Sequence, residues 1–443
     1  MYYTLSHSMA SVQPTTKHTA VAEVNAPSST SFDYDVAIVG GGIVGATLAA
    51  ALKDTNLRVV VIEAQPRSVA VAKGQAYAIH LSSSRIYQGI GVWEAIAPQV
   101  EYFSQVHLSD GNCPSVVKFK PRDLGTPVLG YVAEHRVLLK ELLQFLETCE
   151  HVDWCCPAQV TTTHYHPHGV EVQLAPSSAG VEAAHRHEVE SLPQTLNVRM
   201  LVAADGSRSQ VRQQAGITTQ GWDYWQSCLV ATIAPEKFHN HIAYERFWPS
   251  GPFAILPIAN RQCRIVWTAP HAQAQALLEL EEDQFLDLLQ QRYGSQMGKL
   301  SLVGHRFLFP AKWMHSTQYT GHRLALVGDA AHTCHPVGGQ GLNLGIRDAA
   351  ALAQVLHVAH QAGQDIGSVQ VLRQYQRWRR RQNWLALGFT DILNRVFSNR
   401  WFLVVQGRRL GLRILQWIAP LRILALRFMA GLSGRLPNLA QPK

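Results

Sequence analysis

Residues 35–45 read Asp-Val-Ala-Ile-Val-Gly-Gly-Gly-Ile-Val-Gly. A short β-branched run leads straight into Gly40, Gly42 and Gly45, the G-x-G-x-x-G spacing. Ala46 to Leu52 continue as a small-residue helix, and a second β-branched run, Arg58 to Ile62, ends at Glu63. Each part has a physical reason. Gly40 permits a tight turn, Gly42 lets a pyrophosphate reach the backbone, and Gly45 lets the helix pack close to the strand. The helix N-terminus turns unpaired N–H groups and a positive dipole end toward the phosphates. Glu63 lies about 20 residues on, where a carboxylate accepts both hydroxyls of a ribose. That favours an unphosphorylated ribose, as in FAD or NAD. The stretch predicts a βαβ dinucleotide-binding unit and an α/β fold.

Two further strand-to-turn junctions lie downstream. Residues 200–209 run Met-Leu-Val-Ala-Ala-Asp-Gly-Ser-Arg-Ser, and residues 323–329 run Arg-Leu-Ala-Leu-Val-Gly-Asp. Asp-Gly is common at ordinary turns, so neither is decisive alone. Their order after the first motif is what carries weight. No second G-x-G-x-x-G and no C-x-x-C pair follows, which disfavours a flavoprotein of the disulfide-reductase type.

At residues 328–348 the sequence resembles the class A flavoprotein aromatic hydroxylases, the group containing para-hydroxybenzoate hydroxylase. The resemblance implies a Rossmann-like FAD-binding domain of that type, an inserted β-sheet substrate domain and a helical C-terminus. It implies that Gly328 and Asp329 hold the ribityl chain, and that Pro336, Gly339, Gly341, Leu342 and Asn343 wrap the flavin ring. The Asp205-Gly206 turn, with Arg208, would serve FAD and the pyridine nucleotide. Arg136, after Tyr131-Val132-Ala133-Glu134-His135, joins the implied FAD contacts.

Within that group the chain resembles the hydroxylases of ubiquinone biosynthesis. Ile90-Gly91-Val92-Trp93, Tyr244-Glu245-Arg246-Phe247, Ile255-Leu256-Pro257-Ile258 and Gly407-Arg408-Arg409-Leu410-Gly411 carry this, from about residue 33 to 435. Two positions depart: Gln75 stands where the family usually has an arginine, and Lys73 where an acid is expected. Arg85 is the candidate substitute for the missing arginine.

The 443 residues exceed one small core and suggest two joined domains or one with a large insertion. The expected division is a disordered leader at 1–32 and FAD-binding segments at 33–97, 129–219 and 306–390. Substrate-domain segments are expected at 98–128 and 220–305, and basic amphipathic helices at 391–443. Residues 176–197 read as a polar hairpin tip. Trp222, Trp225, Trp248, Phe253 and Trp267 either line an aromatic pocket or, more commonly, form plain core. His332 and His335 read as structural, and no catalytic base is named.

The net charge of +8 suits an acidic ligand or an anionic membrane surface. After Asp391 there is no acid, while arginines alternate with Trp, Leu and Ile, an interfacial rather than spanning pattern. The alternative is a helix pair packed on the FAD domain with a solvated basic face. Seven cysteines without C-x-x-C spacing point to reduced thiols in a cytosol-like compartment, and the histidines show no metal-binding spacing. The expected partners are NAD(P)H, O2, a lipophilic aromatic substrate, a membrane surface and other quinone-biosynthesis enzymes, with no nucleic acid. The leading reading is a ring hydroxylase of a prenylated quinone precursor. The rivals are an isoprenoid epoxidase or reductase, and a non-catalytic FAD-binding accessory protein.

Overall fold

The computed structural model describes residues 31–111, 116–177 and 193–441. Residues 1–30 of the expected leader (1–32) and 178–192 of the expected hairpin tip (176–197) lie outside the described residues.

The run that opens the fold is a strand, Tyr34–Val39, with Val36, Ala37 and Ile38 wholly buried. It pairs in parallel with Val59–Ile62 on one side and Thr195–Ala203 on the other. The sheet continues to Val152–Cys155 at one end and to Leu324–Leu326 and Thr320–Gly321 at the other. A parallel sheet is covered on both faces, so its strands read as continuous apolar runs rather than alternating ones. The helices Ile43–Ala51 and Gln340–Gln361 pack together against it. Their contact is close: a Cβ at Gly345 of the second helix would lie 2.7 Å from the Val44 side chain of the first.

A second sheet of eight strands stands beside the first. Its central members are Leu300–Ser316, Thr219–Pro235, Gln262–Pro270, Gly251–Ile258 and Ile242–Trp248, and Gln105–Asp110 and Val116–Phe119 complete one edge. Here the side chains alternate. Phe253, Ile255, Ile265 and Trp267 face the helices His271–Glu279 and Glu282–Tyr293 and form a core with Phe285 and Tyr293. Ala254, Leu256, Val266 and Thr268 face the other way, into a cavity. Phe253 and Trp267 are therefore core, not pocket, because the strand period of two sends them to the far face. Trp222 stacks on Trp313 at 4.5 Å, Trp225 is exposed, and Trp248 lies beside Arg292, so none of these lines the cavity either.

The expected domain boundary at residue 306 falls inside the strand Leu300–Ser316, which continues in the second sheet throughout. A three-stranded sheet, Ala76–His80, Gly130–Glu134 and Glu101–Phe103, lies between the two larger ones.

After the long helix Val369–Phe397 come two shorter ones, Phe402–Trp417 and Ala419–Met429, broken at Ile418 ahead of Pro420. They seat on Val116–Phe119 and the turn Pro121–Asp123 of the substrate side. Three of their arginines find carboxylates there. Arg408 and Arg409 reach Asp110 at 2.8 and 3.2 Å, and Arg422 reaches Asp123 at 3.0 Å. The C-terminal basic stretch is thus partly neutralised by acids from early in the chain. Arg400, Arg413 and Arg427 remain exposed. Among the described residues no helix is long and apolar enough to cross a membrane.

Candidate functional site

The glycine turn has the geometry its spacing demands. Gly40 has φ +107°, and a Cβ there would lie 2.4 Å from the Ala204 carbonyl oxygen. A Cβ at Gly45 would lie 1.9 Å from the Gly40 carbonyl oxygen. Only glycine allows strand, helix and the Ala204 backbone to meet so closely. At Gly42 a Cβ would meet nothing within 4 Å: the space in front of the helix N-terminus is open. Glu63 stands beside this turn, its two oxygens accepting the Gly41 N–H at 2.7 Å and the Gln65 N–H at 2.8 Å. Each oxygen keeps a lone pair, enough for two ribose hydroxyls.

Asp205 and Asp329 end two neighbouring strands of the same sheet. Asp205 Oδ2 accepts the Val211 N–H at 3.3 Å, while its buried Oδ1 has no protein partner. Enclosure pushes this carboxyl above its ordinary range, against the pull of its hydrogen bonds. Asp329 opens onto the cavity, and enclosure by surrounding protein pushes it up as well. Buried acceptors without partners are rare in folded proteins. The orphaned oxygen of Asp205 and the cavity-exposed carboxyl of Asp329 suit a ligand rich in hydroxyl groups.

The Gly328-Asp329 turn is fixed from behind by a charged network. Asp348 accepts from Arg379 at 2.7 Å, from Asn383 at 2.9 Å and from the Gly328 N–H at 3.3 Å, and lies 2.6 Å from His332 Nε2. Despite full burial, the charge of Arg379 and the hydrogen bonds from His332 and Asn383 hold Asp348 well below the usual carboxylate range. His332 is therefore a structural residue. His335 is also buried, edge-on to Tyr224 at 5.1 Å, and burial lowers its pKa to about 3.

The loop Pro336–Gly339 and the helix that starts at Gln340 border the cavity with Pro336, Gly339, Gly341 and Leu342. Asn343 lies beneath this loop instead. It donates to the Ala78 and Gly339 carbonyls, both at 2.7 Å, and accepts the His80 N–H at 2.8 Å. Its polar groups are spent on holding the loop against the strand Ala76–His80. His80 is part of the same seam, 3.1 Å from the Gly338 carbonyl, with burial lowering its pKa to about 3.

Gly42, Asp329 and the loop border one cavity of about 1620 Å³, while Glu63, Asp205 and Asn343 stand behind its lining. A pocket for a single small ligand runs from roughly 300 to 1,000 Å³, so this one has room for a dinucleotide and a second molecule. Gly42, Gly206, Arg208, Asp329 and the loop form one wall. The other is apolar: Phe103, Phe119, Phe247 and Phe397, then Leu412, Leu415, Leu426 and Met429 of the two C-terminal helices. Sequence reading missed these aromatic residues, because a lone phenylalanine on a strand carries no mark of which face it takes.

Residues 33–390 match the FAD binding domain family. The uncharacterized protein slr1300 of Synechocystis is 46% identical over 94% of this chain and 97% of its own length. Ubiquinone hydroxylase UbiL of Rhodospirillum rubrum is 36% identical over 90% of this chain and 89% of its own. The chain belongs to the FAD-dependent hydroxylases of ubiquinone biosynthesis. The crystal structure of p-nitrophenol 4-monooxygenase PnpA from Pseudomonas putida shares the fold, with a TM-score of 0.73 at 18% identity over 91% of this chain and 99% of its own.

FAD is the cofactor of this flavoprotein hydroxylase, and the residues fit it. The open space at Gly42, the orphaned Asp205 oxygen and the cavity-facing Asp329 are what a flavin dinucleotide requires. Arg136 is not brought to the cavity; it is exposed and paired with Glu134. Arg85 does not line the cavity either, whereas Lys73 and Gln75 do. The family arginine thus has no spatial substitute in Arg85.

Proposed function

We propose that the protein hydroxylates the ring of a prenylated phenol, a precursor of a ubiquinone- or plastoquinone-type molecule, using NAD(P)H and O2 at a membrane surface. The observation that carries this reading is the continuity of the cofactor wall with a long apolar wall in one cavity. FAD, once reduced by NAD(P)H, supplies the transfer of one oxygen atom from O2. The protein positions the ring, and its apolar wall excludes water that would waste the reductant. Glu63, Asp205 and Asp329 hold the cofactor's hydroxyl groups in this reading.

The membrane part rests on the two C-terminal helices. Their inner face lines the cavity, and their outer face shows Trp401, Leu403 and Trp417 at 77%, 81% and 82% exposure. Apolar side chains so exposed mark an interaction surface, and the nearby Arg400, Arg413 and Arg427 suit anionic lipid. A prenyl tail gains about 0.8 kcal/mol per buried CH2, so its enzyme has to meet it in the bilayer.

The test uses purified protein. Flavin absorbance, NAD(P)H oxidation stimulated by a short-chain prenylphenol, and a product heavier by one oxygen are expected. A yellow protein that never yields an oxygenated ring would move the reading to a reductase or an accessory protein. For the surface, Trp401→Ser with Trp417→Ser should abolish flotation with anionic vesicles and leave turnover of the short-chain phenol intact.

A further inference from the structure

Among the described residues two carboxylic acids line the cavity, Asp329 and Glu245. Asp329 belongs to the cofactor turn. Glu245 stands on the opposite wall, in the strand Ile242–Trp248, where Ala243, Glu245 and Phe247 alternate into the cavity. Its register partners on the neighbouring strands are Ala254 and Leu108, both apolar and both on the same wall. A wall built only to hold a lipid would place an apolar residue here. An ionisable group in such surroundings is costly and points to a task.

The position is specific. The backbone N–H of Gly338, in the loop that borders the cofactor, is directed at the Glu245 carboxylate. Glu245 therefore sits at the seam between the cofactor loop and the substrate wall. Enclosure raises its pKa to about 8, and the Gly338 N–H opposes that rise. Lys73, His80, His135, Arg208, Lys312 and Asp329 line the same cavity, and the buried Cys228 of the strand Thr219–Pro235 lies within electrostatic range. None of these charged groups sets its ionisation; enclosure does.

We propose that Glu245 is a catalytic base that takes the proton of the substrate's ring hydroxyl. The assignment rests on the ring-hydroxylase reading above. An ordinary Glu, near 4.3, is about six units too acidic to accept a proton from a phenol near 10. A carboxylate raised to about 8 narrows the gap to roughly two units. In the step the phenolic O–H bond breaks and the proton passes to Glu245. The freed electron pair enriches the ring carbon that receives one oxygen atom of O2. The other oxygen leaves as water, formed with the hydride equivalent of NAD(P)H and one proton from solvent. The ring carbon then loses its hydrogen as a proton, which ends on the newly added oxygen, and Glu245 returns its own to the phenolic oxygen.

The experiment compares wild type with Glu245→Gln and Glu245→Asp, each loaded with FAD. The Gln variant should keep its flavin content and bind a short-chain prenylphenol, read from perturbation of the flavin spectrum, within about threefold of wild type. Its kcat should fall by about 10²–10⁴. Wild-type kcat/KM should rise with pH through about 8, as Glu245 loses its proton, and that limb should vanish in the Gln variant. The Asp variant should keep a limb at a shifted pH, and it decides the matter should the Gln variant not hold FAD. A Gln variant with wild-type kcat and an unchanged limb, or an Asp variant whose limb does not move, overturns the assignment. A wild-type enzyme that oxygenates no phenol overturns the ring-hydroxylase reading instead, and is seen before any variant is made.

Discussion

On one side of the cavity the chain presents its backbone; on the other it presents apolar side chains. The cofactor wall is made of turns at strand ends, where Gly42 leaves open space, Asp329 supplies an acceptor and Asp205 keeps an orphaned oxygen just behind. The substrate wall is made of alternate residues from a mixed sheet and the inner faces of two helices. The first tolerates no added atom at its tightest contacts. The second is a matter of volume and polarity, and many side chains could fill it. Damage to the two walls should therefore differ in kind.

The largest effect is expected at Gly45. A Cβ there would lie 1.9 Å from the Gly40 carbonyl, backbone against backbone, with no flexible side chain to yield. Gly45→Ala should leave a protein without flavin after gel filtration, or none soluble. Leu412→Ala, on the opposite wall, should keep its flavin and lose only packing. Equal flavin content in the two variants would break the comparison.

A middle-sized effect is expected behind the cofactor wall. Asp348 is 0% exposed and anchors Arg379, Asn383, His332 and the Gly328 N–H. Asp348→Asn leaves the Arg379 cation buried without its carboxylate, a loss on the order of 3–5 kcal/mol. Denaturant unfolding measures it, and a loss below about 1 kcal/mol would mean the network is not a support. The sign of its pH dependence follows from the depressed carboxyl. The stabilisation is complete above the ordinary carboxylate range and is lost as pH falls through that range and below it. The Asn variant should lack this acid-sensitive component.

The same contrast explains what the sequence discloses. The cofactor wall was legible because its contacts need particular residue types at fixed spacing, as at Gly40, Gly45 and the turn Gly328-Asp329. The substrate wall was not, because face depends on register, and a one-residue change sends a side chain to the other side. Trp267 is core while Val266 and Thr268 meet the cavity, and nothing in Val266-Trp267-Thr268 distinguishes them. Glu245 lies within Tyr244-Glu245-Arg246-Phe247, a mark of the family, yet its exposure to the cavity appears only once the strand is placed. The ion pairs of Arg408 and Arg422 span 298 and 299 residues, by the differences 408 − 110 and 422 − 123, and no local pattern predicts them.

The smallest effect is expected at Arg136, where resemblance and geometry disagree. The resemblance places it among the FAD contacts. The structure places it at the start of the helix His135–Glu147, exposed and paired with Glu134, while its neighbour His135 turns to the cavity. An exposed pair of this kind contributes about 0–1 kcal/mol. Arg136→Ala should thus keep FAD content and affinity within about twofold of wild type, measured by flavin release on dilution. A tenfold or greater loss of FAD would mean that the side chain leaves Glu134 and turns inward when the cofactor binds. The cofactor wall would then include a mobile cation besides its fixed backbone, and the contrast between a rigid wall and a forgiving one would have to be redrawn at this point.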